Sequence, residues 1–349
     1  MMIAKFPRNA TGKKTQSEKS RKIKGICGIR NNFASSEMRI FMVQFSKNKP
    51  EQGAEQILIE ERSFTMRREE INIRDPFVVL HENAYYLYGT RGPTCWGPAT
   101  GFDVYTSSDL SDWAGPFPCF ENDGSFWADR NYWAPEVHPW QDAWFMFASF
   151  KSETRHRGTA ILRAQTPRGP FTPWSEGPVT PEEWECLDGT FFVEQDGRPW
   201  MVFCHEWVQA GDGEIWAMPL QTDLRAADGA PVLLFRASEA PWARLVHHSS
   251  GRDGYVTDGP FLWRAKDGRL MCLWSSLSAT GYTQGLAVSD NGRADSHFTQ
   301  LPPLFEKDGG HGMLFRTKEG QLMLTLHTPN EHLKEHPVFI PLPDDSPVA

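Results

Sequence analysis

Between residues 75 and 327 one phrase occurs five times: a polar or small residue, an apolar run, a polar turn eight or nine residues on, and a second apolar run. The copies are Asp75-Pro-Phe-Val-Val with turn Asn83, Ala134-Pro-Glu-Val with turn Asp142, and Asp188-Gly-Thr-Phe-Phe with turn Asp196-Gly197. Asp258-Gly-Pro-Phe-Leu with Asp267-Gly268 and His311-Gly-Met-Leu-Phe with Glu319-Gly320 complete the set. Each copy reads as a β-hairpin, because short runs of β-branched and aromatic residues flank a turn dipeptide. No long stretch carries apolar residues at helical spacing, so helix cannot be the main element. The leading positions 75, 134, 188, 258 and 311 are 59, 54, 70 and 53 residues apart, which fits one blade per copy with loop insertions. The expected fold is all-β, a five-bladed β-propeller over residues 66–345 as one domain. An all-β unit of that length commonly stays single.

In a propeller the leading residues of the innermost strands converge at one mouth of the axis. Asp75, Ala134, Asp188, Asp258 and His311 therefore meet. Three carboxylates in one pocket raise each other's proton affinity and weaken the fold, which points to chemistry rather than to turn capping. Glycoside hydrolysis uses such a set, with one carboxyl protonating the leaving oxygen and another activating water.

At these residues the chain resembles glycoside hydrolase family 43, five-bladed enzymes acting on arabinans and xylans. Arg74-Asp75-Pro76 is similar to the family's general-base motif, and Trp133-Ala134-Pro135-Glu136-Val137 to its second-blade segment. Leu187-Asp188-Gly189-Thr190 resembles the segment whose aspartate orients and tunes the acid. Gly310-His311-Gly312 with His327-Thr328-Pro329-Asn330 resembles the closing blade, whose histidine often lies near an axial metal or water. The resemblance implies inverting hydrolysis of α-L-arabinofuranosyl or β-D-xylosyl linkages, with Asp75 as base and Asp188 as modulator. It departs at the acid: where the family has Glu-Gly-Pro this chain has Asp258-Gly259-Pro260. An aspartate is one methylene shorter, about 1.5 Å. Either Asp258 serves or a second acid does, and Glu206 in Cys204-His205-Glu206-Trp207 is the nearest candidate. A propeller that binds carbohydrate without cleaving it is the alternative. A fructan- or galactan-active relative is another, since Trp184-Glu185-Cys186 resembles the acid segment of invertase-like propellers.

Sugar rings pack their C–H faces on aromatic carbon. Trp96, Trp133 and Trp207 adjoin the expected mouth and, with Arg74, His205 and His311, are the candidate substrate-binding residues; Trp127 is a further platform candidate. Trp144, Trp200 and Trp274 fall inside the strand repeats and are expected in the blade core. No cofactor is required by this chemistry. His311 is the one candidate metal ligand, for a Ca²⁺ ion on the axis, although calcium prefers six to eight oxygens and no run supplies them.

Residues 1–65 stand outside the repeat and hold 13 Lys or Arg against 6 Asp or Glu, so they are about +7 in a chain of net charge −8. They are expected to be a flexible basic extension, or an upstream segment that is not part of the native protein. The remaining acidic domain argues against nucleic acid and anionic membranes as partners, and the resemblance implies an oligosaccharide substrate. The start lacks an apolar signal core, and the six cysteines, at 27, 95, 119, 186, 204 and 272, show no pairing pattern. A cytoplasmic location with free thiols is the expectation.

Overall fold

The computed structural model describes residues 65–247 and 251–349. The basic extension expected over residues 1–65 therefore lies outside the described residues except for Thr65. That residue begins the strand Thr65–Arg67, which pairs with Asp112–Glu121, so strand pairing starts one residue ahead of the expected boundary.

All five expected hairpins form. Their inner and second strands are Ile73–His81 with Ala84–Arg91, Arg130–Trp140 with Ala143–Lys151, Cys186–Val193 with Pro199–His205, Asp258–Arg264 with Leu270–Ser278, and Gly310–Arg316 with Leu322–Thr328. Each pair is antiparallel and extends outward into its own sheet of three to five strands. The turn chemistry matches the turn geometry. Gly197, Gly268 and Gly320 take φ of +84°, +88° and +88°, and the two-residue turn of the first hairpin places Glu82 and Asn83 at φ 49° and 63°. Positive φ at both turn residues gives the backbone twist that matches two paired strands.

Neighbouring inner strands pack face to face and close a ring of five blades. Apolar side chains fill the space between blades, as where Phe102, Phe120, Tyr132 and Phe150 mesh between the first and second. Trp113 lies against Phe339 at 5.8 Å, joining the first blade to the fifth. The C-terminal tail is tied to the fourth blade by the Trp263 indole, which donates to the Val348 carbonyl at 2.8 Å. Trp200 and Trp274 are buried in the blades as expected, whereas Trp144 is half-buried at an edge beside His81. Among the described residues no helix is long and apolar enough to cross a membrane.

One irregularity recurs in every blade and positions the site. The inner strand pairs normally at Arg74↔Thr90, Trp133↔Ser149, Leu187↔Cys204, Asp258↔Ser275 and Gly310↔His327. Pairing resumes at Phe77↔Tyr88, Glu136↔Phe147, Thr190↔Val202, Phe261↔Leu273 and Met313↔Thr325. Three steps on the inner strand thus face two on its partner, a β-bulge that re-aims a side chain toward the axis. The residue just after the first pair has positive φ each time: Asp75 55°, Ala134 47°, Asp188 57°, Gly259 48° and His311 52°.

This register corrects the sequence alignment in one blade. Gly259, not Asp258, is equivalent to Asp75 and Asp188; Asp258 occupies the preceding position, shared with Arg74, Trp133, Leu187 and Gly310. A side chain at 259 has no room, since a Cβ there would lie 2.5 Å from His311 Cδ2. The histidine of the fifth blade fills the space that the fourth-blade residue gives up.

Candidate active site

The strained bulge residues are held by a ring of side-chain acceptors from the second strands. The Asp188 N–H donates to Ser149 Oγ at 2.7 Å, and the Ala134 N–H to Thr90 Oγ1 at 2.7 Å. The His311 N–H donates to Ser275 Oγ at 2.8 Å, and the Asp75 N–H to His327 Nδ1 at 3.1 Å. Each acceptor belongs to the blade before the residue it holds, so the ring also pins blade to blade. At the fourth blade the equivalent position is Cys204, a poor acceptor. There the Gly259 N–H donates instead to Asp188 Oδ2 at 3.1 Å.

Asp75, Asp188, Asp258 and His311 come together as expected. Asp75 and Asp188 are buried, while Asp258 is half-buried and reaches the solvent side. Asp75 Oδ1 lies 3.1 Å from His311 Nδ1, and Thr90 donates its hydroxyl to Asp75 Oδ2 at 2.6 Å. Asp188 Oδ2 is 3.7 Å from the same His311 nitrogen. Tyr282 donates its hydroxyl to Asp258 Oδ2 at 3.0 Å.

These partners drive the carboxylates apart in proton affinity. Burial alone would raise Asp75, but His311, Arg74 and the Thr90 hydroxyl together hold it below the usual carboxylate range. For Asp188 burial wins: the group is pushed up to about 7, helped by the charges of Asp258 and Asp75 and opposed by His311 and the Gly259 N–H. Burial also raises Asp258, against the opposing His311 charge and Tyr282 hydrogen bond. Asp188 and Asp258 repel as anions, so near neutral pH the pair holds a proton in common. His311 loses affinity through burial yet ends above its usual value, because Asp75, Asp188, Asp258 and Glu136 surround it with negative charge.

His327 is the opposite case. Its Nδ1 accepts the Asp75 N–H and so carries no proton, which makes the 3.5 Å approach to Asp75 Oδ1 a contact of a neutral ring. Burial and the nearby Arg74 charge pull it down to about 3.

Arg74 extends from the position before Asp75 and donates to Glu335 Oε1 at 2.7 Å, with its guanidinium 5.4 Å from the Trp96 ring. Trp96 is 59% exposed and meets Trp133 edge-on at 5.4 Å. Trp133 is in turn covered by the Arg157 guanidinium at 3.9 Å. Trp127 packs on Phe126 and Phe150 and has Arg155 over its ring.

Glu206 stands apart from the carboxylate cluster. It is ion-paired with the buried Arg157 and lines a separate cavity with Lys151, Glu185, Val208, Gln209 and Arg252. His205 is bound at both ring nitrogens, to Glu214 Oε2 at 2.9 Å and Gln209 Oε1 at 2.8 Å, and stacks on Trp184 at 4.5 Å. It braces the blade instead of facing the axis. Trp207 opens the short helix Trp207–Ala210 on the same side, half-buried. Glu185, the acid of the invertase-like alternative, is clamped by Lys151 at 2.6 Å, His156 at 2.9 Å and the Arg157 N–H at 2.9 Å. Although burial acts to raise it, these donors pull it down to about 2, which leaves no proton to donate near neutral pH.

The surroundings of His311 do not fit the expected calcium ion. The axial cavity beside it, lined by Asp75, Ala134, Glu136, Gly259 and Met313 among others, has a volume of about 10 Å³, room for one water molecule. Calcium takes six to eight oxygens. Glu136 is engaged by His138 at 3.0 Å, and His311 Nδ1 by Asp75. Among the described residues no group of three or more His, Cys, Asp or Glu is set to hold a metal.

Several contributors were given no role in the site from sequence: Thr90, His327, which was read only as part of the closing-blade segment, Tyr282, Arg157 and Glu335. The first two had a legible signal, since Thr90, Ser149, Cys204, Ser275 and His327 recur 16 or 17 residues after the first paired residue of each inner strand. Tyr282 had none, because it comes from the third strand of its blade, outside the repeated phrase.

The profile of glycosyl hydrolases family 43 matches residues 70–339. An endo-arabinase from Bacteroides thetaiotaomicron VPI-5482 is 39% identical, covers 82% of this chain and 99% of its own, and superposes with a TM-score of 0.76. An endo-1,4-beta-xylanase from the same organism is 21% identical over 80% of this chain and 97% of its own, with a TM-score of 0.63. An alpha-L-arabinofuranosidase from Lactobacillus brevis is 19% identical over 78% and 92%, with a TM-score of 0.62, and like the xylanase it shares the fold. No curated protein matches the chain in sequence. With the family profile spanning all five blades except the strand Thr65–Arg67 and the last two residues of the final strand, the chain belongs to glycosyl hydrolases family 43, and is a glycoside hydrolase built on a five-bladed β-propeller.

Proposed function

We propose that the protein hydrolyses arabinan or xylan linkages with inversion, Asp75 serving as the base and Asp258 as the acid. The observation that carries this reading is the divergence of the axial carboxylates. Asp75 is held ionised by His311, Arg74 and Thr90, while Asp258 is pushed toward its protonated form beside Asp188. A base must be charged and an acid must keep its proton at the same pH, and shifts of opposite direction favour that division. Asp258 is favoured over Glu206 because it shares the field of Asp75, Asp188 and His311, whereas Glu206 is neutralised by Arg157 in the neighbouring cavity. Tyr282 fixes the Asp258 carboxyl, a placement that compensates for its short side chain. A lectin-like propeller would have no use for such a costly arrangement of buried acids.

In the mechanism, Asp75 accepts a proton from water as the water attacks the anomeric carbon on one face. Asp258 delivers its proton to the glycosidic oxygen on the other, and that oxygen leaves with the bonding pair. Asp188 stabilises the protonated form of Asp258 before transfer. His311 and the Thr90 hydroxyl keep the Asp75 carboxylate oriented throughout. Arabinan is the first substrate to try, because the 39% identical structure is named an endo-arabinase. Proton NMR of the first product from arabinan and from xylan tests the reading. An inverted anomer formed by the wild type and not by Asp75→Asn is expected; a retained anomer overturns the mechanism.

A further inference from the structure

Beyond the reactive centre, a second concave site opens in the face between the second and third blades. Its cavity has a volume of about 310 Å³ and is lined by Lys151, Arg157, Glu185, Glu206, Val208, Gln209 and Arg252. That is the low end of the range for small-ligand pockets and far above the single-water cavity on the axis. The two sites are joined by an unbroken row of side chains. Arg74, adjacent to Asp75, stacks toward Trp96 at 5.4 Å; Trp96 meets Trp133 at 5.4 Å; Trp133 carries Arg157 at 3.9 Å; and Arg157 forms the cavity wall with Glu206.

The chemistry of the lining selects for a hydroxyl-rich, uncharged ligand. Lys151 is neutralised by Glu185 at 2.6 and 2.8 Å and Arg157 by Glu206, while the third cation, the exposed Arg252, donates to the Val208 carbonyl at 2.9 Å, so the charged groups of the wall are held in place. Arg157 is 7% exposed, and its Nε has no hydrogen-bond partner among the described residues. Gln209 is anchored by the Glu185 N–H at 2.7 Å and by His205 at 2.8 Å. Side chains immobilised in this way offer donors and acceptors to sugar hydroxyls without losing further rotamer freedom on binding. The two tryptophans supply the apolar faces along which intervening rings lie.

We propose that this cavity is a distal glycan subsite, occupied by pentosyl units of a chain whose scissile bond lies at Asp75 and Asp258, with the Trp96–Trp133 row between. This rests on the glycosidase reading and extends it: an enzyme using both sites gains rate with chain length. Arg157 joins the cavity to the row, with its guanidinium over Trp133 and ion-paired to Glu206.

The test uses the full chain with linear arabino- and xylo-oligosaccharides of two to six residues. Wild-type kcat/KM on the preferred series should rise at least tenfold from disaccharide to hexasaccharide. Val208→Trp, which fills the cavity, and Arg252→Ala, which removes an exposed wall residue, should lower that ratio several-fold, the former more. A length-independent wild type, or variants that lower kcat/KM equally at every length, overturns the proposal. Binding is read separately by calorimetry with the Asp75→Asn protein and hexasaccharide, where Val208→Trp should weaken affinity about tenfold. Unchanged affinity overturns the subsite even if hydrolysis is confirmed. Hexasaccharide binding that Val208→Trp abolishes, in a wild type that cleaves nothing, upholds the subsite and overturns the hydrolytic reading alone.

Discussion

Replacing Asp188 with asparagine should make the protein more stable and less active at once. The fold buries Asp188 next to Asp258 and Asp75 and raises it from an ordinary value of 3.8 to about 7. A carboxyl whose affinity is raised in the folded state contributes fully below its unfolded pKa, near 4, and that contribution is lost as pH rises through about 7. Each pKa unit corresponds to 1.36 kcal/mol, so the roughly three-unit difference is a penalty on the order of 4 kcal/mol carried at pH 8. Asparagine keeps an oxygen for the Gly259 N–H but cannot ionise, and so removes the penalty. The difference in unfolding free energy between Asp188→Asn and wild type, measured by urea titration, should therefore be near zero at pH 4. It should grow through pH 5 to 7 and level off at several kcal/mol in favour of the variant by pH 8. Hydrolysis should fall by about two orders of magnitude or more, since Asp258 loses the charge that keeps its proton in place. A stability difference that is flat with pH, or a variant weaker than wild type at pH 8, would refute the argument that this carboxylate is held against its own solvation.

Asp258→Asn should lower kcat on arabino-oligosaccharides by about 10²- to 10⁴-fold, yet by less than tenfold on a glycoside with a dinitrophenolate leaving group, which needs no proton. Glu206→Gln should show no such dependence on the leaving group, and if it does while Asp258→Asn does not, the acid is Glu206. Gly259→Ala should abolish activity and cost about 1–3 kcal/mol in denaturant unfolding, because the new Cβ meets His311 Cδ2 at 2.5 Å and the backbone sits at φ +48°. An active, wild-type-stable alanine variant would show that His311 has room to move. His327 has its folded-state affinity lowered to about 3 from 6.5, so the stability it confers is present above pH 6.5 and lost as pH falls toward 3. His327→Gln, which can still accept the Asp75 N–H, should flatten that acid slope in a pH series of unfolding midpoints.

The limits of what could be read from the chain follow from what repeats and what does not. Hairpins were legible because each needs a local pattern, two apolar runs around a turn, and the turn at Asp267-Gly268 or Glu82-Asn83 forms in the place its residues dictate. The convergence of Asp75, Asp188 and His311 was legible for the same reason, as one column of a repeated unit. The misplacement of Asp258 shows where pattern stops. Asp-Pro at 75, Asp-Gly at 188 and Asp-Gly at 258 look alike in one dimension, but the bulge residue of the fourth blade is chosen by the His311 ring across the blade boundary. No window of sequence within one blade contains that clash. The ion pair of Arg157 with Glu206, 49 residues apart and in different blades, was hidden in the same way. It turned a candidate acid into a wall of another cavity. The shift at blade four also bears on function. Moving the proposed acid, Asp258, one position earlier takes it off the ring that holds Asp75 and Asp188 and ties it to the hydroxyl of the buried Tyr282, with the carboxyl itself only half-buried. Two aspartates in the bulge column can be buried and fixed by their neighbours, whereas a residue that must hand a proton to a departing sugar has to reach the mouth.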